Sequence, residues 1–131
     1  MTLYMLDTNS VSYLIRGNAA IASRLQEVPM SALGVSAITK AELMFGLARR
    51  PEATRLQLAV REFLRRVDVL PWGDAVAEGY GVLRAGMTAQ GLVLAPLDLL
   101  IAAHALNQSR VLVTSDHSFR LVPGLKIEDW T

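Results

Sequence analysis

Four acidic residues stand where they could do chemistry: Asp7, Glu42, Asp98 and Asp116. Asp7 ends the apolar run Leu3-Tyr4-Met5-Leu6 and is followed by Thr8, Asn9 and Ser10. Asp116 ends a second such run, Val111-Leu112-Val113, by way of Thr114 and Ser115. Glu42 lies just after Thr39, and Asp98 stands after Pro96 at the head of a long apolar segment. Each acid has an ordinary structural use. Asp7 and Asp98 suit helix N-caps, Thr39-Lys40-Ala41-Glu42 has the form of a capping box, and Asp116 suits an Asx turn. A shared neighbourhood would change their meaning. Carboxylates gathered in a partly apolar cleft repel one another and lose hydration, a cost that a bound cation relieves. Oxygen-only ligands select a hard ion, Mg2+ or Mn2+, while Thr8, Asn9, Thr114 and Ser115 are placed to orient carboxylates or waters around it. Such a set suits metal-assisted phosphodiester hydrolysis, where one ion activates water and a second, about 4 Å away, holds the leaving oxygen. A scaffold in which the acids serve only as caps is the competing reading at this point.

The elements that must position these acids follow from periodicity. Leu3 to Leu6, Leu33 to Ser36, Val67 to Leu70 and Arg110 to Thr114 read as strands, and Leu125 to Ile127 as a final edge strand. Between them, helical spacing marks segments through Val11, Leu14 and Ile15; Ile21, Leu25 and Val28; Leu43, Met44 and Leu47; and Leu56, Val60, Phe63, Leu64 and Val67. Val76, Tyr80, Leu83 and Met87 mark a further helix finishing near Gly91. Leu97 to Leu106 is apolar nearly all round, as a helix packed between layers must be. Alternating strands and helices imply parallel pairing and right-handed crossovers. The expected fold is therefore α/β, a three-layer helix-sheet-helix sandwich with a short, mainly parallel central sheet. In such a sheet, strand ends and the following helix starts share one edge, which is where the four acids would meet.

Composition narrows the choice. With 131 residues, the chain suits one domain with one sizeable core. Cysteine is absent, excluding thiolate metal sites and cysteine nucleophiles, and two histidines lack zinc-site spacing. Hydrophobic residues make up 52% and charged residues 19%, an apolar excess that suggests surface covered by a partner. Asp98 interrupts the most apolar segment, which is too short to span a membrane, and no signal peptide is recognised, so a cytoplasmic protein is expected. A formal net charge of +1 gives no global attraction to nucleic acid, so such binding needs a local basic face. Arg49, Arg50, Arg55, Arg61, Arg65 and Arg66 offer one, although Glu62 is placed to pair with Arg66 on a solvated helix face.

The segments Met5-Leu6-Asp7-Thr8-Asn9 and Ser36 to Gly46, with Leu97 to Ala105 and Leu112 to Phe119, occur in the order of four PIN-domain ribonuclease signatures. The ending Val122-Pro123-Gly124-Leu125 with Glu128-Asp129-Trp130 strengthens the likeness. Across the whole chain, the sequence resembles the VapC toxins of bacterial toxin-antitoxin pairs. The resemblance implies that Asp7, Glu42, Asp98 and Asp116 form an acidic site for Mg2+ or Mn2+, with Thr114 as polar helper. Ser115 departs from the Asn common in relatives, and some relatives lack an acid at the position of Asp116. It also implies cleavage of structured RNA, often tRNA, a homodimer, and inhibition by a VapB-like antitoxin seated in the active-site groove. Likeness to the enterobacterial pattern points to initiator tRNA. His104 is expected in the core and His117 in solvent, without catalytic roles, and Trp72 and Trp130 in packing. Two rival functions are a non-catalytic interaction module and an aspartyl-phosphate phosphotransfer domain using Asp7. The second fits poorly, because Asn9 stands where a phosphatase of that kind needs a second acid.

Overall fold

The apolar runs become the strands of one parallel sheet in the computed structural model, which describes all 131 residues. In chain order the elements are β1 (Tyr4–Leu6), α1 (Thr8–Ile15), α2 (Ala19–Gln26), β2 (Leu33–Ser36), α3 (Ala37–Ala48), α4 (Thr54–Arg66) and β3 (Asp68–Leu70). There follow α5 (Asp74–Ala89), α6 (Pro96–Asn107), β4 (Val111–Val113) and β5 (Ile127–Glu128), with 3-10 turns at Met30–Ala32 and His117–Leu121. The sheet order is β3-β2-β1-β4-β5. The last strand lies slightly later than expected, at Ile127–Glu128 rather than Leu125 to Ile127, because its ladder is set by Leu112 and Val113 of β4.

Side chains of a strand alternate between its faces, and the two sheet faces bury different partners. Tyr4, Leu6, Val35 and Val113 pack with Val11, Ile21, Leu43 and Val60 beneath α1 to α4. Met5 and Leu112 pack instead with Met87, Leu99, Ile101, Ala102 and Phe119, beneath α5 and α6. The three-layer sandwich expected from the sequence is thus present. α6 is buried along most of its length, with Leu99 and Ile101 to Ala105 all inside, which accounts for its lack of a polar face.

β1 is the organising strand. From it the chain passes to β2 on one side, with α1 and α2 on one sheet face, while β4 on its other side is entered from α5 and α6 on the opposite face. Neighbouring strands whose connections leave to opposite faces open a crevice at their carboxyl ends. Asp7 and Thr114 are the residues that follow these two strands.

Candidate active site

Asp7 caps α1 as expected: its Oδ1 accepts the Ser10 backbone N–H at 2.8 Å. Its other oxygen accepts the Thr114 hydroxyl at 2.6 Å, across the gap between β1 and β4. Backbone bonds continue past both strand ends, from Asp7 N–H to the Val113 carbonyl and from Thr114 N–H to that of Glu128. Asp7 is only 3% exposed. Burial raises its pKa, the hydrogen bonds from Thr114 and Ser10 oppose that rise, and the charge of Asp116 adds to it. Capping and site membership are therefore the same placement. A carboxylate has about four lone-pair positions, so two remain for another ligand.

Thr114 also accepts the backbone N–H of Asp116 at 3.0 Å, tying the next loop to Asp7. Asp116 forms the expected Asx turn, accepting the backbone N–H and the hydroxyl of Ser118 at 2.9 and 2.7 Å. These bonds hold its pKa below the ordinary carboxylate range.

Glu42 and Asp98 depart from their expected local roles. α3 begins at Ala37, capped by Ser36, so Thr39-Lys40-Ala41-Glu42 is not a capping box; Thr39 is interior and Glu42 lies in the second turn. The reason is that β2 runs directly into α3 and its last residue supplies the cap, Ser36 Oγ accepting the Ile38 N–H. Glu42 is held from α1, where Thr8 donates to its Oε1 at 2.7 Å and contacts Thr39 Oγ1 at 3.2 Å. Asp98 is two residues inside α6, whose N-cap position is Ala95, and is not itself the cap. Its side chain takes part in no hydrogen bond of the protein, and desolvation followed by the charges of Asp116, Glu42 and Asp7 lifts its pKa to about 6.

The charges of all four acids are thus felt at one place, yet none is paired with a basic side chain. The ion pairs of the molecule lie elsewhere, between Arg24 and Glu27 or Glu128 and between Glu62 and Arg65 or Arg66. No three Asp, Glu or His side chains are drawn close enough to clasp an ion as they stand. Chemically the donors fit a hard divalent cation: they are all oxygen, mutually repulsive and in no ion pair with a basic side chain.

Of the expected helpers, Thr8 and Thr114 contact acids directly. Asn9 is exposed and Ser115 half-buried, and neither side chain bonds any of the four. Sequence reasoning missed Ser10, whose hydroxyl donates to the Val113 carbonyl at 3.0 Å, and Ser118. The spacings Asp7-x-x-Ser10 and Asp116-x-Ser118 carried both signals, as an N-cap and an Asx turn.

Next to Glu42 a cleft of about 380 Å3 opens between α1, α3 and α4, with Leu47 among its apolar lining and Arg16, Arg49 and Arg50 also along it. Arg16 was not foreseen; it emerges at the C-terminus of α1. Arg61, Arg65 and Arg66 lie outside this cleft, the last two engaged by Glu62. The basic residues thus divide into two groups.

Sequence and structure comparisons agree with this architecture. The PIN domain family matches residues 4–125. The chain is 31% identical to the tRNA(fMet)-specific endonuclease VapC of Shigella flexneri, over 100% of both chains. It is 34% identical to ribonuclease VapC2 of Haemophilus influenzae, over 99% of each. A crystal structure of DNA-bound VapBC from Salmonella typhimurium contains a chain with a TM-score of 0.93 and 32% identity, with 100% of each covered. By family match, full-length likeness and shared topology, the chain belongs to the PIN domain family, among its VapC members.

Proposed function

We propose that this protein is an RNA-cleaving hydrolase, a VapC-type endoribonuclease that uses Mg2+ or Mn2+ to cut structured RNA and so inhibit translation. The observation that carries the reading is the convergence of Asp7, Glu42, Asp98 and Asp116 on one sheet edge without a basic partner. Full-length likeness to VapC ribonucleases supports RNA as the substrate, and the Shigella relative's tRNA(fMet) specificity makes initiator tRNA the first candidate.

Asp7, Glu42, Asp98 and Asp116 would hold the cation. A bound divalent ion lowers the pKa of water and offsets charge developing on a scissile phosphate. The chain's own work is positional. Thr114 and the Ser10 N–H keep Asp7 in one orientation, Thr8 does the same for Glu42, and burial at the crevice limits competing water. Asp98 has to be deprotonated to ligate, so near and below pH 6 a proton would compete with the ion for it. The phosphotransfer reading is disfavoured because Asn9, where that chemistry needs a second acid, is exposed and its side chain bonds none of the four acids. Arg49 and Arg50 along the cleft are better placed for substrate phosphates than Arg61 and Arg65 outside it. Neutralising Arg49 and Arg50 should flatten the salt dependence of RNA affinity, and an unchanged slope would remove them from the interface.

A VapB-like antitoxin, supported by the VapBC complexes among the structural relatives, and a second copy of the chain are the proposed protein partners. Exposed Phe45, Leu58, Val82 and Val93 supply apolar surface for such contacts. No helix is long and apolar enough to cross a membrane.

The deciding experiment incubates antitoxin-free protein with total RNA, with and without Mg2+ or Mn2+, beside Asp7→Asn. Cleavage should require the ion and fall by more than about a hundredfold in the variant, since replacing a ligand should cost at least as much as replacing its support. Equal cleavage by both proteins would sink the reading.

A further inference from the structure

His104 is the one titratable side chain buried in the middle of α6, and the reaction outlined above does not use it. It is fully buried, as are its helix neighbours Ile101, Ala102, Ala103 and Ala105. Its Nδ1 lies 2.7 Å from Ser36 Oγ, a buried bond linking residues 68 positions apart in the chain. Ser36 is likewise fully buried, and its oxygen also accepts the Ile38 N–H that starts α3. The other ring nitrogen, Nε2, makes no hydrogen bond of good geometry, the Pro71 backbone carbonyl being its nearby acceptor. An apolar side chain would fill this core position without leaving a buried nitrogen unsatisfied, so the histidine is poorly explained by packing alone.

Its place in the fold supplies an explanation. α6 carries Asp98 six residues before His104, and α3 carries Glu42 six residues after Ser36. The His104–Ser36 bond is a direct side-chain hydrogen bond from α6 to the last residue of β2, which caps α3. One turn earlier on α6, the Leu100 carbonyl accepts the indole N–H of Trp72 at 3.0 Å, fixing the same helix to the segment after β3. Hydrogen bonds are directional, whereas hydrophobic burial is not, so the bond adds a geometric constraint that packing alone does not specify.

We propose that His104 is a positioning residue: its hydrogen bond to Ser36 fixes α6 against α3 and so sets where Asp98 stands relative to Glu42 for binding a divalent ion. The ring acts in its neutral form, favoured by burial and by the nearby Arg110 charge, with the backbone of Pro71 opposing that shift. In the tautomer with its proton on Nε2, Nδ1 accepts the Ser36 hydroxyl proton while Ser36 still accepts from Ile38. This inference rests on the metal-binding reading of the acidic site.

The test measures Mn2+ affinity directly, by calorimetry or by the electron paramagnetic resonance of free Mn2+, in wild type, His104→Leu, Ser36→Ala, the double variant and His104→Asn. Thermal melts establish that each variant is folded. Each single replacement should weaken Mn2+ binding about tenfold, in the range for groups that orient ligands, and the double should be no worse than either single. His104→Asn, whose amide can take the place of Nδ1, should recover most of the loss. Folded His104→Leu and Ser36→Ala proteins with wild-type affinity would overturn the proposal while leaving the metal site intact. Additive losses in the double variant, or no recovery with Asn, would overturn it as well. A wild-type protein that binds no Mn2+ would overturn the metal reading and this inference together.

Discussion

Asp7 and Asp98 face the same crevice under opposite conditions. Asp7 is 3% exposed, with one oxygen on the Ser10 N–H and the other on the Thr114 hydroxyl. Asp98 is half-buried, has no hydrogen-bond partner in the protein, and is pushed to a pKa of about 6 by desolvation and three neighbouring acids. The first is held by the sheet and the second only by the helix that carries it. Such a pairing reconciles two demands on a divalent-ion site. With both as ligands, as proposed above, one would be fixed in advance and lower the cost of ordering, while the other would stay uncompensated until a cation bound.

If this contrast is right, the largest effect should come from releasing the fixed side. Thr114→Val strips Asp7 of its shortest hydrogen bond and frees the Asp116 N–H. Mn2+ affinity should fall by about 10- to 100-fold, measured by calorimetry, as for other groups that orient metal ligands. Urea unfolding should show a loss of about 1–3 kcal/mol, the cost of an unsatisfied buried group. Thr114→Ser should behave nearly as wild type, because only the hydroxyl is used. Thr8→Val should weaken Mn2+ binding by less, about tenfold or under, since Glu42 is more exposed than Asp7 and keeps its water contacts.

The uncompensated side is tested through pH. Asp98 has a folded pKa of about 6 against an ordinary 3.8, so folding favours its protonated form. Its stabilising contribution is full below the ordinary value and is lost as pH rises through about 6. Without divalent ions, Asp98→Asn should therefore raise the melting temperature by a few degrees at pH 7.5 and by much less at pH 4.5. An equal gain at both values would mean that Asp98 is not under electrostatic pressure. Wild-type Mn2+ affinity should drop as pH falls through about 6, the proton competing with the ion.

The smallest effect belongs to the far end of α6, away from Asp98. Ser109 sits at φ 53, in the left-handed region, and closes the helix through the bonds Arg110 N–H to Ala105 and Ser109 N–H to Leu106. α5 ends with the same pattern, but there Gly91 takes the left-handed position at φ 72. Ser109→Gly should stabilise the protein by about 0.5–1 kcal/mol in urea unfolding, the relief of backbone strain less the added freedom of glycine. Mn2+ affinity should not change, which makes this variant the control for the others.

Much of this was legible in the residues. Short runs such as Val111-Leu112-Val113 read as strands because β-branched and apolar residues fit a pleated, buried surface, and Leu97 to Leu106 read as an interior helix because it has no polar face. Asp7 and Asp116 were recognisable as acids after strands, and their cap and turn roles followed from their local spacing. The local signal misled at Thr39-Lys40-Ala41-Glu42, where a capping-box pattern lost to Ser36, already positioned by the ladder between β2 and β3. It also misled at Asn9, which has the right chemistry but lies on the outer side of α1, exposed to solvent.

The sequence by itself determined the alternation of strand and helix, the four acids and their oxygen-only chemistry, since periodicity and residue type are local properties of the chain. Tertiary structure decided which groups meet. Thr114 reaches Asp7 across 107 positions, Thr8 reaches Glu42 across 34, and His104 reaches Ser36 across 68. Those bonds depend on strand order and helix docking, which arise from burial of the two sheet faces against different helices, and no short window of sequence contains that information.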